Sequence, residues 1–275
     1  MASDAPQQQS GDVPPVRIGP PPRRGLLAGL TRRATVRHTT PRVPDGYRVY
    51  AVGDVHGRLD LLGRVITAIQ NDAEAATEHR LLIFLGDYVD RGPDSKGVVD
   101  CLLSPPEGFV TRYLRGNHDQ AVLDFLADPM FYRIWRSYGA AETLVSYGVR
   151  PPLYDDDQAL VDARDALDRA LPRRHRAFFE NLAPQTQAGD YYFVHAGVRP
   201  GVPLHRQSLE DQMWIRDDFL LSNQDFGKVV VHGHTPTDAP VRRRNRIGID
   251  TGAYATGRLT ALVLEGADVR FLHAE

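Results

Sequence analysis

The sequence predicts a layered α/β domain, and three observations support this fold class. Apolar runs at residues 47–52, 81–85 and 109–114 alternate with helical patterns, which gives the order β-α-β-α-β-α. Each of these runs ends in a polar loop that contains glycine. The chain has 275 residues, 42% hydrophobic and 25% charged, and this ordinary globular composition is enough to bury a sizeable core.

The first part of the chain, residues 1–44, is predicted to be a disordered arm rich in proline and arginine. It holds eight of the twenty prolines and shows no sustained helix or strand periodicity. Within it, residues 23–33 combine arginines with leucines and are a candidate for contact with a partner or a membrane surface. A solvated tail is the favoured interpretation of that segment. The globular domain is therefore assigned to residues 45–275.

The remaining elements are predicted in order along the domain. Helices are expected at residues 59–78 and 94–103, between the first strands. Residues 120–189 are interpreted as a helical insertion, because aromatic residues and charged amphipathic patterns dominate there. Five further apolar runs are interpreted as a second set of strands, and they lie at residues 191–194, 229–231, 246–249, 259–264 and 269–272.

Charge and cysteine content exclude several classes of partner and location. The formal net charge of -2 does not call for nucleic acid as a partner, and the arginines at 242–244 are interpreted as a solvated turn. The longest uncharged apolar run near the N-terminus covers only residues 25–30, too short for a membrane span or a signal peptide. Cys101 is the one cysteine and is expected to be an inert buried residue. A cytoplasmic protein is predicted.

Half of the histidines lie in loops that are suited to form a metal-binding site. Five of the ten lie in glycine-flanked loops at strand ends, joined there by two aspartates and an asparagine. The set comprises His56, His118, His195, His232 and His234 with Asp54, Asp87 and Asn117. One such histidine would usually be a satisfied core residue, but five are hard to explain in that way. Loops at the carboxyl ends of strands meet at one sheet edge, and these ligand types suit divalent manganese, iron or zinc, so a two-metal site is predicted.

The spacing of these residues indicates how two metals would be held. Asp54 and His56 are two positions apart at a strand end, so both side chains project to the same side of the chain. Asp87 ends the next strand, where its two carboxylate oxygens can serve both metals. Bridging would keep the metals roughly 3.5–4 Å apart, a separation that suits in-line phosphoryl displacement. Asn117, His195 and His234 would complete the second metal.

Three residues beside the ligands have the chemistry of substrate contact. Arg91 lies four residues after Asp87, and its guanidinium suits bidentate contact with phosphate oxygens. His118 directly follows Asn117, so it can face a substrate without binding metal. Asp90 is a candidate to hold His118 protonated, as the orienting partner of a general acid. A surface salt-bridge cluster is the less favoured explanation of these residues.

The segments that contain these residues resemble those of a known family. GDVHG at residues 53–57, GDYVDRG at 86–92 and RGNH at 115–118 resemble, in order and spacing, the signature blocks of the PPP-type metallophosphoesterases, which have the calcineurin-like fold. VHAG at 194–197, HGHT at 232–235 and DTG at 250–252 resemble the later blocks. Asp119 and Ala196 replace the glutamate and glycine usual in eukaryotic members, which points to the bacterial serine/threonine protein phosphatase branch.

The resemblance implies a four-layer sandwich, with two mixed β-sheets flanked by helices and a dinuclear centre at one edge. It also implies direct hydrolysis by a metal-bound hydroxide, with Mn2+ the expected metal and iron or zinc the alternatives. The implied ligands are Asp54, His56 and Asp87 for one metal and Asp87, Asn117, His195 and His234 for the other. His232 is an alternative to His234, but the family's ligand follows a small residue, which is Gly233 here.

The resemblance also implies roles for the residues beside the metals. His118 resembles the general acid of the family and Asp90 its partner, while Arg91 and Asn117 would contact the substrate phosphate. A second phosphate-binding arginine in the family lies near a tryptophan motif. The segment Trp214-Ile215-Arg216 makes Arg216 the candidate for that role.

The leading functional hypothesis is a phosphatase of phosphorylated proteins or peptides, acting on phosphoserine and phosphothreonine and extending to phosphotyrosine. The alternative is a symmetrical dinucleoside tetraphosphate hydrolase, a related group that usually has alanine at the position of Asp90. Tyr132, Trp135 and Tyr138 can stack a nucleobase, although ordinary helix packing is the preferred explanation. A catalytically inactive binding module is disfavoured, because every expected ligand is present.

Overall fold

Two mixed β-sheets form the centre of the protein in the computed structural model, which describes residues 40–73 and 79–275. The strands of this described part are β1 (Tyr47–Val52), β2 (His79–Phe84), β3 (Val110–Tyr113), β4 (Gln185–Ala188), β5 (Tyr191–Val194), β6 (Val229–His232), β7 (Val241–Arg242), β8 (Arg246–Gly248), β9 (Leu259–Glu265) and β10 (Asp268–Ala274). The helices are α1 (Leu59–Ala73), α2 (Ser95–Leu102), α3 (Asn117–Ala127), α4 (Tyr132–Trp135), α5 (Ala140–Ser146), α6 (Asp157–Ala170), α7 (Arg173–Glu180), α8 (Leu209–Trp214), α9 (Asp217–Leu220) and α10 (Ala253–Thr256).

The first sheet has the strand order β10-β9-β1-β2-β3. Strands β1, β2 and β3 are parallel, and β9 runs antiparallel to both β1 and β10. The prediction that all five late apolar runs form a second set of strands was therefore wrong, since β9 and β10 complete the first sheet. Strand β9 is buried at nearly every position, as fits a central strand that pairs with β1 on one side and β10 on the other.

The second sheet has the order β4-β5-β6-β8-β7, with β5, β6 and β8 parallel and the two edge strands antiparallel. Strand β4 falls inside the segment 120–189 that was interpreted as helical. Its sequence, Gln-Thr-Gln-Ala, is polar and only partly buried, as an edge strand with little apolar alternation can be. The sequence pattern therefore carried almost no strand signal at β4.

The two sheets pack face to face, and helices cover their outer faces. Alternation along β1 shows this: Val49 and Ala51 join the core between the sheets, while Tyr50 and Val52 join the core under the helices. Helix α1 contributes Leu61 and other apolar residues to that outer core. Helix α9 and Ile215, which directly follows α8, cover the second sheet through a smaller cluster. This arrangement confirms the four-layer fold class that was predicted.

The predicted arm overlaps the packed part of the chain at its end. Residues 1–39, including the candidate partner-binding segment 23–33, lie outside the described residues, as do residues 74–78 at the end of the first predicted helix. Val43 is fully buried, and its backbone N–H donates to the carbonyl of Gly266 at 3.0 Å. Packing therefore begins before residue 45. In the described ranges, no helix has both the length and the apolar character that crossing a bilayer requires.

Candidate active site

Loops from both sheets meet at one edge and bring most of the predicted site residues together. Asp54 and His56 follow β1, Asp87 follows β2, Asn117 and His118 begin α3, His195 follows β5 and His234 follows β6. All of these side chains are buried. Parallel strands end at the same edge of a sheet, which is why loops far apart in sequence converge here.

The loops approach each other through their backbones. The N–H groups of Val55 and His56 donate to the carbonyl of Asp87 at 3.1 and 2.9 Å. The backbone of Asp87 has a φ of 52°, an uncommon conformation for a residue with a side chain. Asp119 holds the same loop, because its carboxylate accepts the backbone N–H groups of Asp87, Tyr88 and Gly116 at 2.8–2.9 Å.

Asp87 lies between two groups of ligand atoms. Its Oδ2 is 3.6 Å from Nε2 of His56 and 3.4 Å from Nε2 of His195. Nε2 of His195 in turn lies 3.1 Å from Oδ1 of Asn117 and 3.2 Å from Nδ1 of His234. The other Asp87 oxygen accepts the backbone N–H of His118 at 3.0 Å. One carboxylate oxygen therefore faces both groups, so a bridge between two metals would use this single oxygen and not one oxygen for each metal, as the sequence analysis expected.

Asp54 carries an atom whose surroundings fit a bound cation. Oδ1 of Asp54 is buried and has no hydrogen-bond partner among the described residues. Oδ2 of Asp54 accepts the backbone N–H of His234 at 3.0 Å, which fixes the carboxylate and leaves Oδ1 free. An unsatisfied buried polar atom costs about 1–3 kcal/mol, more if charged, and a divalent cation near Asp54 would remove that cost. Imidazole, carboxylate and amide oxygen together suit such a metal.

When the candidate ligand atoms are grouped by the distances between them, the groups differ from those predicted from the sequence. Two triads could each hold a metal, His56 with Asp87 and His118, and Asp87 with His195 and His234. Asp54 belongs to neither triad, although its free oxygen lies in the same cluster of loops. His118 enters the first triad, but its Nδ1 is held by Asp90. The assignment of Asp54 rather than His118 as a ligand stays a prediction.

Two of the candidate metal-binding histidines are oriented by backbone carbonyls. Nδ1 of His56 lies 2.9 Å from the carbonyl of Val89, and Nδ1 of His195 lies 3.0 Å from that of Leu85. When each ring is neutral with its proton on Nδ1, its Nε2 can act as a metal ligand. Burial lowers the pKa of His56 to about 3 and that of His234 to about 2. Both rings are therefore neutral, which is the form that binds metal.

His195 and Asp87 form the charged centre of the site. Burial alone would lower the pKa of His195, but the Asp87 carboxylate outweighs it and raises that pKa to about 9. Burial opposes ionisation of Asp87 as well, yet His195 and His118 hold the pKa of Asp87 well below its usual range. A divalent cation bound here would displace the His195 proton and take over the neutralisation of Asp87.

His232, the alternative ligand, lies apart from the two triads. Its Nδ1 is 3.0 Å from the carbonyl of Gly233, and its ring packs edge-on against Phe219 with centroids 5.0 Å apart. Burial lowers the pKa of His232 to about 4, so the ring is neutral. These contacts are those of an ordinary buried histidine and favour His234 as the ligand.

The predicted general acid and its partner are in direct contact. Nδ1 of His118 lies 2.7 Å from Oδ2 of Asp90, and both side chains are buried. Burial by itself would lower the pKa of His118, but Asp87 and Asp90 outweigh it and raise that pKa. The Arg91 guanidinium lies 3.2 Å from Nε2 of both His118 and His56. This position is compatible with contact to a substrate phosphate, and the role of Arg91 stays a prediction.

Arg216 lies at the junction of α8 and α9, beside Thr235 and His234. Its Nη1 donates to Oγ1 of Thr235 at 3.4 Å, and its positive charge acts on His234. This position is compatible with contact to a phosphate bound near the second group of ligands. Its role stays a prediction.

Several residues that shape the site were not predicted from the sequence. Tyr132 and Trp135 pack beside Phe125 in the core, as predicted, but the Tyr138 ring lies 5.4 Å from that of His118. The Arg91 guanidinium lies 4.5 Å from the centre of the Tyr254 ring. Contacts from two residues of the insertion, Trp135 and Thr143, to Asp90 were also not foreseen. They depend on how the insertion folds back, and local pattern contains no signal for that.

Comparisons with known proteins agree with this geometry. Residues 47–266 match the family model described as calcineurin-like phosphoesterase. The chain is 40% identical over 212 residues to serine/threonine-protein phosphatase 1 of Salmonella typhimurium, covering 77% of this chain and 89% of that protein. It is 26% identical over 235 residues to the asymmetrical bis(5'-nucleosyl)-tetraphosphatase PrpE of Anoxybacillus flavithermus, covering 77% and 88%.

A solved structure of a cold-active protein tyrosine phosphatase has the same fold, with a TM-score of 0.54 at 15% identity, covering 84% of this chain and 81% of that one. Two mixed sheets with clustered histidines and carboxylates at one edge define a metallophosphoesterase. The chain belongs to the calcineurin-like phosphoesterase family. The predicted enzyme class and the recognised family are thereby confirmed.

Proposed function

We propose that this protein is a metal-dependent phosphatase of phosphorylated proteins or peptides, acting on phosphoserine and phosphothreonine and extending to phosphotyrosine. The buried contact of 2.7 Å between His118 and Asp90 carries this proposal. A serine or threonine alkoxide is a strongly basic leaving group, so its departure needs a proton from a general acid. A relative 40% identical to this chain is named a serine/threonine-protein phosphatase, which supports the same substrate class.

Two divalent cations, with manganese proposed and iron or zinc as alternatives, would be held by the predicted ligands. These are Asp54, His56 and Asp87 for one cation, and Asp87, Asn117, His195 and His234 for the other. When bound, the cations would neutralise charge on the phosphate oxygens and lower the pKa of a water molecule.

The remaining residues act on the substrate directly. Arg91 contacts phosphate oxygens through two N–H groups, which fixes the orientation of the ester. The Asn117 amide and Arg216 would bind other phosphate oxygens. His118 donates the proton on Nε2 to the leaving oxygen, while Asp90 holds the proton on Nδ1 and stabilises the charged ring. The protein is proposed to act in the cytoplasm, with the arm at residues 1–44 as a candidate partner contact.

Hydrolysis of a dinucleoside tetraphosphate is the second candidate function. Relatives about 25% identical to this chain are named bis(5'-nucleosyl)-tetraphosphatases. Tyr138 and Trp214 lie 5.7 Å apart beside the site and can stack a base. The leaving group would then be a nucleotide phosphate, whose second pKa of about 6 makes it a weak base that needs an acid far less. The buried His118–Asp90 pair therefore favours the monoester.

The test compares both substrate classes on one preparation loaded with manganese. Phosphate release from matched phosphoserine, phosphothreonine and phosphotyrosine peptides is measured beside cleavage of diadenosine tetraphosphate, with His118→Asn as the blank. Peptide dephosphorylation is expected to exceed dinucleotide cleavage by far. The reverse order of rates would contradict the phosphatase proposal and support dinucleotide hydrolysis.

A further inference from the structure

The Asp90 carboxylate is held by the helical insertion as well as by His118. Its Oδ2 accepts from Nδ1 of His118 at 2.7 Å and from the indole N–H of Trp135 at 2.8 Å. Its Oδ1 accepts from the hydroxyl of Thr143 at 2.6 Å. Asp90, Trp135 and Thr143 are all fully buried. Both oxygens are therefore engaged, and the carboxylate cannot rotate away from His118 without breaking a buried hydrogen bond.

The insertion also holds the backbone that carries Asp90 and Arg91. The N–H of Asp90 donates to Oγ1 of Thr143 at 2.8 Å and to Oγ of Ser95 at 3.1 Å. The N–H of Arg91 donates to the carbonyl of Gly139 at 3.2 Å. Asp90 and Arg91 have φ values of 69° and 67°, so two consecutive side-chain-bearing residues are in the left-handed region. This conformation is unfavourable and persists only where surrounding contacts enforce it.

The Thr143 hydroxyl can donate and accept the hydrogen bonds that hold Asp90 at the same time. A hydroxyl offers one donor and two acceptor positions. Thr143 donates to the Asp90 carboxylate, accepts the Asp90 N–H and lies 3.0 Å from Oγ of Ser95. Trp135 also makes a specific contact with Asp90, because its indole has a single N–H, and a buried N–H needs a hydrogen-bond partner. The Trp135 ring packs against Phe125 in the core, while its N–H donates to the Asp90 carboxylate.

We propose that Trp135 and Thr143 are positioning residues for proton transfer from His118. This inference rests on the proposed function, in which His118 is the general acid. As water adds to phosphorus, the bond from phosphorus to the leaving oxygen breaks, and its electron pair stays on that oxygen. The leaving oxygen takes the proton from Nε2 of His118, the protons of the water stay on the phosphate group, and the products are an alcohol and phosphate. One of the water protons then returns to His118. Trp135 and Thr143 keep Asp90 in the orientation that aligns His118 for this step.

The test uses the dependence of rate on the leaving group. Trp135→Phe keeps an aromatic ring without the donor, and Thr143→Val keeps the shape without the hydroxyl. Each purified, manganese-loaded variant is assayed with p-nitrophenyl phosphate, whose leaving group needs little protonation, and with a phosphoserine peptide, whose leaving group needs it. General-acid catalysis contributes roughly 10²–10⁴-fold, so kcat for the peptide is expected to fall about 10-fold more than kcat for the aryl ester.

The ratio of the two rates comes from a single preparation, so incomplete folding cancels from it. Thr143→Ser restores the hydroxyl and is expected to return the ratio to the wild-type value with KM unchanged. Tyr147→Phe is the matched control, because it removes a buried hydrogen bond to His175 at 2.9 Å within the insertion without touching Asp90. Its ratio is expected to equal that of wild type. Equal losses on both substrates in Trp135→Phe and Thr143→Val would overturn the inference.

His118→Asn separates a failure of this inference from a failure of the proposed function. If His118→Asn lowers kcat for both substrates equally, His118 is not the general acid, and both the proposed mechanism and this inference are wrong. If His118→Asn selectively slows the peptide but Trp135→Phe does not, only the positioning role is wrong. In the His118→Asn background, Trp135→Phe is expected to cause no further change in the ratio.

Discussion

Gly92 lies so close to His56 that a Cβ on Gly92 would stand 2.0 Å from the His56 carbonyl oxygen. The loops after β1 and β2 are in contact at this point, and the contact sets the distance between the ligands that follow the two strands. No side chain fits between them without moving a backbone. The spacing of the candidate ligands therefore depends on Gly92, because only a residue without a side chain allows the two backbones to come this close.

Gly92→Ala is expected to separate these two loops and to weaken both folding and metal binding. Overpacking of this kind costs about 1–3 kcal/mol of unfolding free energy, which urea denaturation measures. Metal analysis of the same preparation is expected to show reduced occupancy.

Gly63→Ala is the control for this prediction. Gly63 lies in helix α1, and a Cβ there meets nothing within 4 Å. The change is expected to raise the unfolding free energy by about 0.5–1 kcal/mol, because alanine favours a helix over glycine. A Gly92→Ala protein as stable as the Gly63→Ala protein would contradict the argument about loop contact.

His118→Asn is expected to lower turnover of a phosphoserine peptide by about 10²–10⁴-fold while leaving metal content near that of wild type. The reason is that Nδ1 of His118 is held by Asp90, so the ring is oriented as an acid. Steady-state kinetics and elemental analysis on one preparation test this expectation. Metal lost together with activity would place His118 among the ligands, as the triad with His56 and Asp87 allows.

Asp87→Asn is expected to deplete both metals, because one Asp87 oxygen faces His56 at 3.6 Å and His195 at 3.4 Å. Asp54→Asn is expected to deplete mainly one metal. Metal content per chain, measured after dialysis against trace manganese, distinguishes the two variants. Equal partial depletion in both would exclude Asp87 as the bridge.

His175, which lies outside the candidate active site, is expected to make the stability of the fold depend on pH. Burial lowers the pKa of His175, whose ring lies 2.9 Å from the Tyr147 hydroxyl and 3.0 Å from an Asp100 oxygen. As pH falls below about 6.5, the unfolded chain binds a proton at His175 before the folded chain does. The contribution of His175 to stability is therefore full above a pH of about 6.5 and declines as pH falls toward the lowered pKa of the folded state.

Urea unfolding measures this effect when wild type and His175→Gln are compared at a pH of about 7.5 and at a pH of about 5.5, which lie on either side of the ordinary histidine pKa. Every sample contains the same metal concentration. The difference in unfolding free energy between the two proteins is expected to shrink at the lower pH. A difference that stays constant would show that His175 titrates equally in the folded and unfolded chains.

Much of this fold was predictable because strand and helix patterns are local. Strands β1, β2, β5 and β9 are apolar runs bounded by polar loops, and each lies within two residues of its predicted position. Strand β4 was missed because its edge position leaves it polar. The sheet to which β9 and β10 belong could not be derived either, because pairing partners are chosen by packing between segments distant in sequence.

The sequence by itself determined the family, the enzyme class and the residues available as metal ligands, because these depend on residue types at short spacings within single loops. Only the tertiary structure decided which atoms face each other. It placed Asp87 between two groups of candidate ligands and separated His232 from His234. It also brought Trp135 and Thr143 to Asp90 across 45 and 53 positions of the chain. Contacts over such separations are set by how the core packs, and no local pattern records them.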